Sequence, residues 1–173
     1  EGTLLKRLQG HHGMTMSVAW SPDGSRLASG GRGQDGGTLL VWDACNGEVL
    51  RTISSHAGDV FTVAWSKPGD QLVSGESDGK IRWWNVQEGV CLRTLAGHDG
   101  AVQLLTTSSD GRLLASIGSD STIKVWDFES VELLQTLRYD RPYERLNITE
   151  TIGLSMAQKT TLRTLGAIDE SEN

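Results

Sequence analysis

Short segments in which apolar and polar residues alternate recur along most of this chain. Clusters of Gly, Pro, Asp and Ser, such as residues 22–24 and 109–111, separate these segments. Alternation over about four to eight residues between such clusters is typical of β-strands joined by tight turns. Both faces of most segments carry apolar residues, so we expect neighbouring groups of strands to cover them. The pattern therefore predicts an all-β fold over residues 1–138.

The segments are grouped into three copies of one unit. Each copy contains three predicted strands, which in the second copy are FTVAW, QLVSG and KIRWWN. A fourth strand follows each copy, at residues 47–54, 89–96 and 130–137. Residues 2–9 repeat the pattern of this fourth strand, so the sequence predicts one extra outer strand there.

Four kinds of side chain return at nearly fixed positions in the copies. The recurring residues are His11, Ser29 and Trp42 in the first copy, His56, Ser74, Asp78 and Trp84 in the second, and His98, Ser116, Asp120 and Trp126 in the third. The second and third sets lie 42 residues apart, and a period of this size indicates a repeat architecture. In the first copy an insertion leaves Asp35 seven residues before Trp42 rather than six.

The repeats open with the dipeptides Gly10-His11, Ser55-His56 and Gly97-His98 and close with Trp42-Asp43, Trp84-Asn85 and Trp126-Asp127. In these dipeptides and their period the chain resembles the WD-repeat β-propeller family. A closed propeller typically has about 4–8 blades, so three blades make an incomplete ring in one chain. The resemblance therefore implies that this is the C-terminal part of a longer protein, or that another copy completes the ring. In either case residues 2–9 would be the outer strand of a further blade.

In this family the recurring residues form a structural relay of hydrogen bonds inside each blade. The resemblance implies that Asp accepts from His, that His meets the Ser hydroxyl, and that Ser accepts from the Trp indole N–H. A buried indole and a buried imidazole need such partners. We expect the relay to be incomplete in the first copy. We also expect His56→Ala and His98→Ala to destabilise the fold similarly, by about 1–3 kcal/mol.

The same residue types raise a second hypothesis, a hydrolase with a Ser/His/Asp set. A catalytic set would occur once, whereas these residues recur at a fixed period. The sequence also contains no phosphate-binding loop, dinucleotide fingerprint or kinase motif. We therefore predict that the chain is not an enzyme and holds no cofactor.

The resemblance also indicates where a partner would bind. Propellers present loops at one rim of a central channel. By resemblance, the residues on that rim are Met14, Met16, Asp59, Phe61, Ser77, Ala101, Gln103 and Ser119. Methionine, phenylalanine and an acidic group on exposed loop ends favour a protein partner, as expected for a scaffold or sensor. A small ligand bound in the channel is a further hypothesis.

The repeat pattern stops near residue 139, and residues 139–173 form a separate extension. Ser155 and Gln158 are spaced as a capping box, and Gly166 is positioned to end the helix that follows. The extension resembles segments that follow WD-repeat arrays in bacterial multidomain signalling proteins. We therefore expect a short C-terminal helical tail and a signalling parent protein.

Composition narrows the remaining classes of function. The net charge of −6 argues against a surface for nucleic acid or anionic membrane, which requires clustered Lys and Arg. No apolar run approaches the ~18 residues of a membrane span. Cys45 and Cys91 lack metal-binding spacing and indicate free thiols in a reducing cytoplasm. His11 and His12 are adjacent and point in opposite directions on a strand, so we expect no metal site.

Overall fold

The computed structural model describes residues 2–33, 36–54, 58–138, 146–149 and 151–169. The chain separates into two compact units, residues 1–137 and 138–173. Within the described residues the first unit contains only β-strands, and the second contains one short helix.

The strands form three sheets of four strands each, which we call blades 1, 2 and 3. Blade 1 consists of β1 (Thr15–Trp20), β2 (Arg26–Arg32), β3 (Gly37–Asp43) and β4 (Val49–Ser54). Blade 2 consists of β5 (Val60–Trp65), β6 (Gln71–Glu76), β7 (Lys80–Asn85) and β8 (Cys91–Ala96). Blade 3 consists of β9 (Val102–Thr107), β10 (Leu113–Gly118), β11 (Thr122–Asp127) and β12 (Leu133–Arg138).

Each blade is an antiparallel meander, and the blades lie side by side in chain order. The first strands β1, β5 and β9 are neighbours, while the fourth strands β4, β8 and β12 form the opposite edges of the sheets. The connections between strands are short, because turn-forming residues stand at the ends of the strands and allow tight turns. The prediction of an all-β fold built from four-stranded propeller blades, with one short C-terminal helix, is confirmed.

Two apolar clusters hold the three blades together. We call the face of a blade that points to the preceding blade its front face, and the opposite face its back face. The first cluster packs the back face of blade 1, with Ala28, Leu39, Val41 and Ile53, against the front face of blade 2, with Val63, Trp65, Leu72 and Trp84. The second cluster packs the back face of blade 2 against the front face of blade 3 in the same way.

Hydrogen bonds repeat across the two blade interfaces. The Val63 N–H donates to the Ser17 hydroxyl at 3.2 Å, and the Leu105 N–H donates to the Thr62 hydroxyl at 3.0 Å. The Trp65 indole N–H donates to the Ala19 carbonyl at 3.0 Å at the first interface only, because Thr107 takes the place of this tryptophan in blade 3. The bond from the first strand of each following blade to a hydroxyl of the preceding blade is therefore the contact that the two interfaces share.

Residues 2–9 contain no strand in this structure, and the expected outer strand there, in a blade whose inner strands come from another segment or copy, stays a prediction. A strand needs a neighbour to bond its backbone N–H and C=O groups, and β4, β8 and β12 already complete the three blades. Leu4 and Leu5 are consequently exposed.

The C-terminal unit contains one helix, α1 (Met156–Thr164). Ser155 is its N-cap and forms the predicted capping box with Gln158. Gly166 follows the last turn with a φ of 105°, so the predicted end of the helix is confirmed. No helix in the described residues is long and apolar enough to cross a membrane.

Candidate functional site

Blade 3 contains a four-membered chain of hydrogen bonds. The His98 Nδ1 lies 3.0 Å from the Asp120 carboxylate, and its Nε2 lies 2.7 Å from the Ser116 hydroxyl. The Trp126 indole N–H donates to the same hydroxyl at 2.9 Å. The structure thus brings together the four residues that the spacing singled out in the third copy.

The turn before β11 holds Asp120 in place. Its carboxylate accepts hydrogen bonds from the Thr122 N–H and hydroxyl and from the Asp99 N–H. Burial by itself would raise the pKa of Asp120, but these bonds and the bond with His98 outweigh it and lower the pKa to about 2. Asp120 is therefore a fixed anion that orients the imidazole.

Blade 1 contains the same arrangement with three described members. The His11 Nε2 lies 2.7 Å from the Ser29 hydroxyl, to which the Trp42 indole N–H donates at 2.8 Å. Burial of the ring lowers the pKa of His11 despite the bond to Ser29. Asp35, whose displaced position suggested an incomplete relay, lies outside the described residues.

Blade 2 differs from its neighbours. The Trp84 indole N–H donates to the Ser74 hydroxyl at 2.8 Å, and this hydroxyl donates to the Glu76 carboxylate at 3.1 Å. Glu76 is fully buried and forms an ion pair with Arg82. A buried carboxylate beside the serine is a feature that the two other blades lack, since Gly31 and Gly118 occupy the corresponding positions.

Asp78, the relay aspartate of the second copy, contacts Arg82. The Arg82 guanidinium donates to Asp78 at 3.0 Å. Burial would raise the pKa of Asp78, but the bonds from Arg82 and Lys80 outweigh it and lower the pKa. His56, the expected partner of Asp78, lies outside the described residues. Sequence reasoning missed Glu76 and Arg82, although both depart from the other copies at aligned positions.

The three serines of these networks are buried. The exposed fraction is 5% for Ser29 and 0% for Ser74 and Ser116. A nucleophile must be reached by its substrate, and these hydroxyls are instead occupied by indole donors. The geometry therefore favours a structural relay over the hydrolase hypothesis.

The predicted partner-binding residues lie at one end of the strands. Backbone hydrogen bonds join Asp59 to Ser77 and Ala101 to Ser119, so the two loops of each blade lie side by side. Met14, Met16, Gln103 and Ser119 are exposed, and Asp59, Phe61, Ser77 and Ala101 are half-buried. Arg32 pairs with Asp59 at 3.5 Å and adds a charge that the prediction omitted.

A groove of about 620 Å³ runs along β1, β5 and β9 and the turns that follow them. Trp20, Trp65 and Leu104 are among the side chains that line it. Among the described residues, no three His, Cys, Asp or Glu side chains are placed to hold a metal ion.

Comparison with known proteins identifies the arrangement. The family model described as "WD domain, G-beta repeat" matches residues 2–43, 47–85 and 89–127. The solved structures described as "Crystal structure of RRP9 WD40 repeats" and "Structure of U3-55K" are each 27% identical to this chain, with a TM-score of 0.70. These matches cover 78% of this chain, but only 41% and 42% of those two chains.

A curated relative matches over a shorter stretch. "Small ribosomal subunit protein RACK1y" from Oryza sativa subsp. japonica is 48% identical over 46 residues. That stretch is 27% of this chain and 13% of the rice protein. The chain therefore spans less than half the length of each of these proteins.

The serine in each relay should support the fold. Ser116→Ala removes the hydrogen-bond partner of the buried Trp126 indole N–H and of the His98 ring. We therefore expect it to lower the free energy of unfolding by about 1–3 kcal/mol. Ser109→Ala, in an exposed turn of the same blade, should change it by less than about 0.5 kcal/mol. Urea denaturation measures both. Equal effects would contradict a buried relay.

Asp120 should make stability depend on pH. Its pKa is lowered in the folded state to about 2, below the value of about 3.9 in unfolded chains. The stabilisation is therefore present above about pH 4 and is lost as the pH falls toward 2. In Asp120→Asn this part of the acid dependence should disappear, and in Thr122→Val it should be smaller. A wild-type-to-Asn difference that stays constant from pH 6 to pH 2 would refute this assignment.

The buried Glu76–Arg82 ion pair should contribute more to the free energy of unfolding than the half-exposed Lys80 on the same strand. Arg82→Met removes a cation from a buried carboxylate and should cost about 3–5 kcal/mol of stability. Lys80→Met, on the same strand but half-exposed, should cost less than about 1 kcal/mol. The double variant Glu76→Met, Arg82→Met should recover much of the loss. Thermal and urea unfolding would show whether the double variant is instead worse than Arg82→Met.

Proposed function

Because this chain belongs to the WD domain, G-beta repeat family, we propose that it is a non-enzymatic module that binds other proteins as a scaffold or sensor. Blades of this family present many loops on a rigid frame, which suits recognition of proteins. The burial of all three relay serines supports this function over catalysis.

The proposal includes a ring that other blades complete. It depends on the exposure of apolar side chains on the front face of blade 1. Val18 and Trp20 are 66% and 61% exposed, whereas Val63 and Trp65, at the same positions of blade 2, are each 4% exposed. An apolar face of this kind is normally covered. The covering blades come from elsewhere in the parent protein or from another copy.

The parent protein, on this proposal, is a bacterial signalling protein of the cytoplasm, with this chain in its C-terminal part. The resemblance of the tail supports the signalling setting. Cys45 and Cys91 are free and exposed, as suits a reducing compartment. The negative net charge supports protein partners over nucleic acid or membrane.

The rim that begins at Met14 and Met16 is the proposed surface for a partner. Its two methionines are 65% and 44% exposed and have no role in the blade interfaces described above. Flexible apolar side chains adapt to varied partners, and Arg32 with Asp59 supplies both signs of charge beside them. The groove along β1, β5 and β9 supports the alternative of a small ligand, which would raise the melting temperature on binding.

The open face can be tested by a matched pair of substitutions. Trp65→Ala empties a closed interface and should lower the free energy of unfolding by about 3–5 kcal/mol. Trp20→Ala should cost less than about 1 kcal/mol at low protein concentration, because this ring is exposed. Urea denaturation of the dilute chain measures both. An equal loss for the two variants would mean that the front face of blade 1 is already covered.

A further inference from the structure

A pair of residues on the back face of blade 3 departs from the other two blades. In blades 1 and 2 a hydroxyl residue of the first strand lies opposite a glycine of the second strand. These pairs are Ser17 with Gly30 and Thr62 with Gly75. In blade 3 the same two positions hold Leu104 and Ile117, which also lie opposite each other. Blade 3 therefore presents two aliphatic side chains where its neighbours present a hydroxyl and a glycine.

The glycine allows the following blade to approach closely. A Cβ added at Gly30 would lie 2.5 Å from Val60 Cγ1, and a Cβ added at Gly75 would lie 2.6 Å from Val102 Cγ1. Each valine is the first residue of the first strand of the next blade. Carbon atoms in contact lie about 3.5–4.0 Å apart, so a blade that begins with valine packs in this way only on a glycine.

The hydroxyl bonds the same strand of the following blade. The Val63 and Leu105 N–H groups donate to the two hydroxyls. Leu104 cannot accept such a bond, and the Ile117 side chain takes the space that a valine enters at the existing interfaces. Extra carbon atoms in a packed interface and a buried N–H without an acceptor both destabilise it. A blade that begins like blade 2 or blade 3 therefore does not fit behind blade 3.

The rest of the back face of blade 3 keeps the apolar character of a blade interface. Ile123 stands where Ile81 is fully buried in blade 2, and Leu137 stands where Ile53 is buried in blade 1. Ile123 and Leu137 are themselves 39% and 44% exposed. Outside the aliphatic pair the face therefore matches the sheets that accept a following blade, and a further blade is the occupant that these side chains favour.

We propose that the Leu104–Ile117 pair specifies which blade packs behind blade 3. That blade begins with a glycine at the position of Val60 and Val102, and it comes from another segment of the parent protein. The large and the small residue exchange sides, because Ile117 fills the space that a valine of the following blade fills at the two existing interfaces. This inference rests on the ring completion proposed above and states which blade can complete the ring on this side.

The pair also excludes a second copy of the chain from this position. Blade 1 of a copy would bring Thr15 to the position of Val60, and threonine has nearly the same shape as valine. The Val18 N–H of that copy would meet Leu104 in place of a hydroxyl acceptor. Stacking of a front face on a back face is a heterologous contact, which repeats into rings or open filaments. The Leu104–Ile117 pair therefore keeps copies from stacking in this way.

The test restores the repeated pair in the full chain. The variant Leu104→Thr, Ile117→Gly, which we call the restored variant, makes blade 3 equivalent to blade 2 at these positions. We expect the association constant between copies to rise at least about tenfold, as measured by light scattering over a series of protein concentrations. The control Ile123→Thr, Leu137→Gly makes the same kinds of substitution elsewhere on this face and should not raise it.

A second variant tests the same overlap from the other side. Thr15 is exposed, so we expect Thr15→Gly to fold normally while it removes the side chain that would meet Ile117 of another copy. Association should increase in Thr15→Gly, by less than in the restored variant because the Val18 N–H still lacks an acceptor. It should stay unchanged in Thr15→Val. Adding Trp20→Ala should weaken each gain, because stacking uses the front face of blade 1.

The two proposals fail differently. If the unchanged chain associates as strongly as the restored variant and Trp20→Ala weakens both, blades pack on the Leu104–Ile117 pair. The inference is then overturned, and ring completion stands. If neither the restored variant nor Thr15→Gly associates, the front face of blade 1 does not bind a blade, and ring completion falls together with the inference. Should circular dichroism show the restored variant to be unfolded, the comparison of Thr15→Gly with Thr15→Val decides alone.

Discussion

The buried bond from a tryptophan indole to a serine hydroxyl is the interaction on which each blade depends. It recurs at 2.8 Å in blades 1 and 2 and at 2.9 Å in blade 3. An indole that loses its acceptor in the protein interior carries a desolvation cost. The serine on the second strand and the tryptophan on the third must therefore stay in register, which fixes the pairing of these two strands.

The serine hydroxyl needs a further partner, and the blades supply it with different chemistry. Histidine and aspartate complete the network in blade 3, and histidine lies beside the serine in blade 1. In blade 2 the buried Glu76 accepts from the serine and is balanced by Arg82. A buried carboxylate requires a nearby cation, and Arg82 supplies it to Glu76.

Packing in chain order covers both faces of blade 2 and leaves the front face of blade 1 and the back face of blade 3 without a neighbour among the described blades. Trp65 is buried by the back face of blade 1, while Trp20 has no blade in front of it in the described chain. On the back face of blade 3, Leu104 and Ile123 are 50% and 39% exposed. The exposed apolar residues of the described blades therefore include those on the front face of blade 1 and the back face of blade 3.

The sequence by itself determined the strands, the repeat period, the helix cap at Ser155 and the residues that meet around Ser116, because these depend on local patterns repeated in the chain. The tertiary structure alone decided the place of residues 2–9. Their pattern is that of a strand, but a strand forms only when a neighbour bonds its backbone. The tertiary structure also revealed the Glu76–Arg82 pair. A charged residue in a strand is expected to be exposed, and only the packing of blade 2 between its two neighbours shows that these side chains are buried.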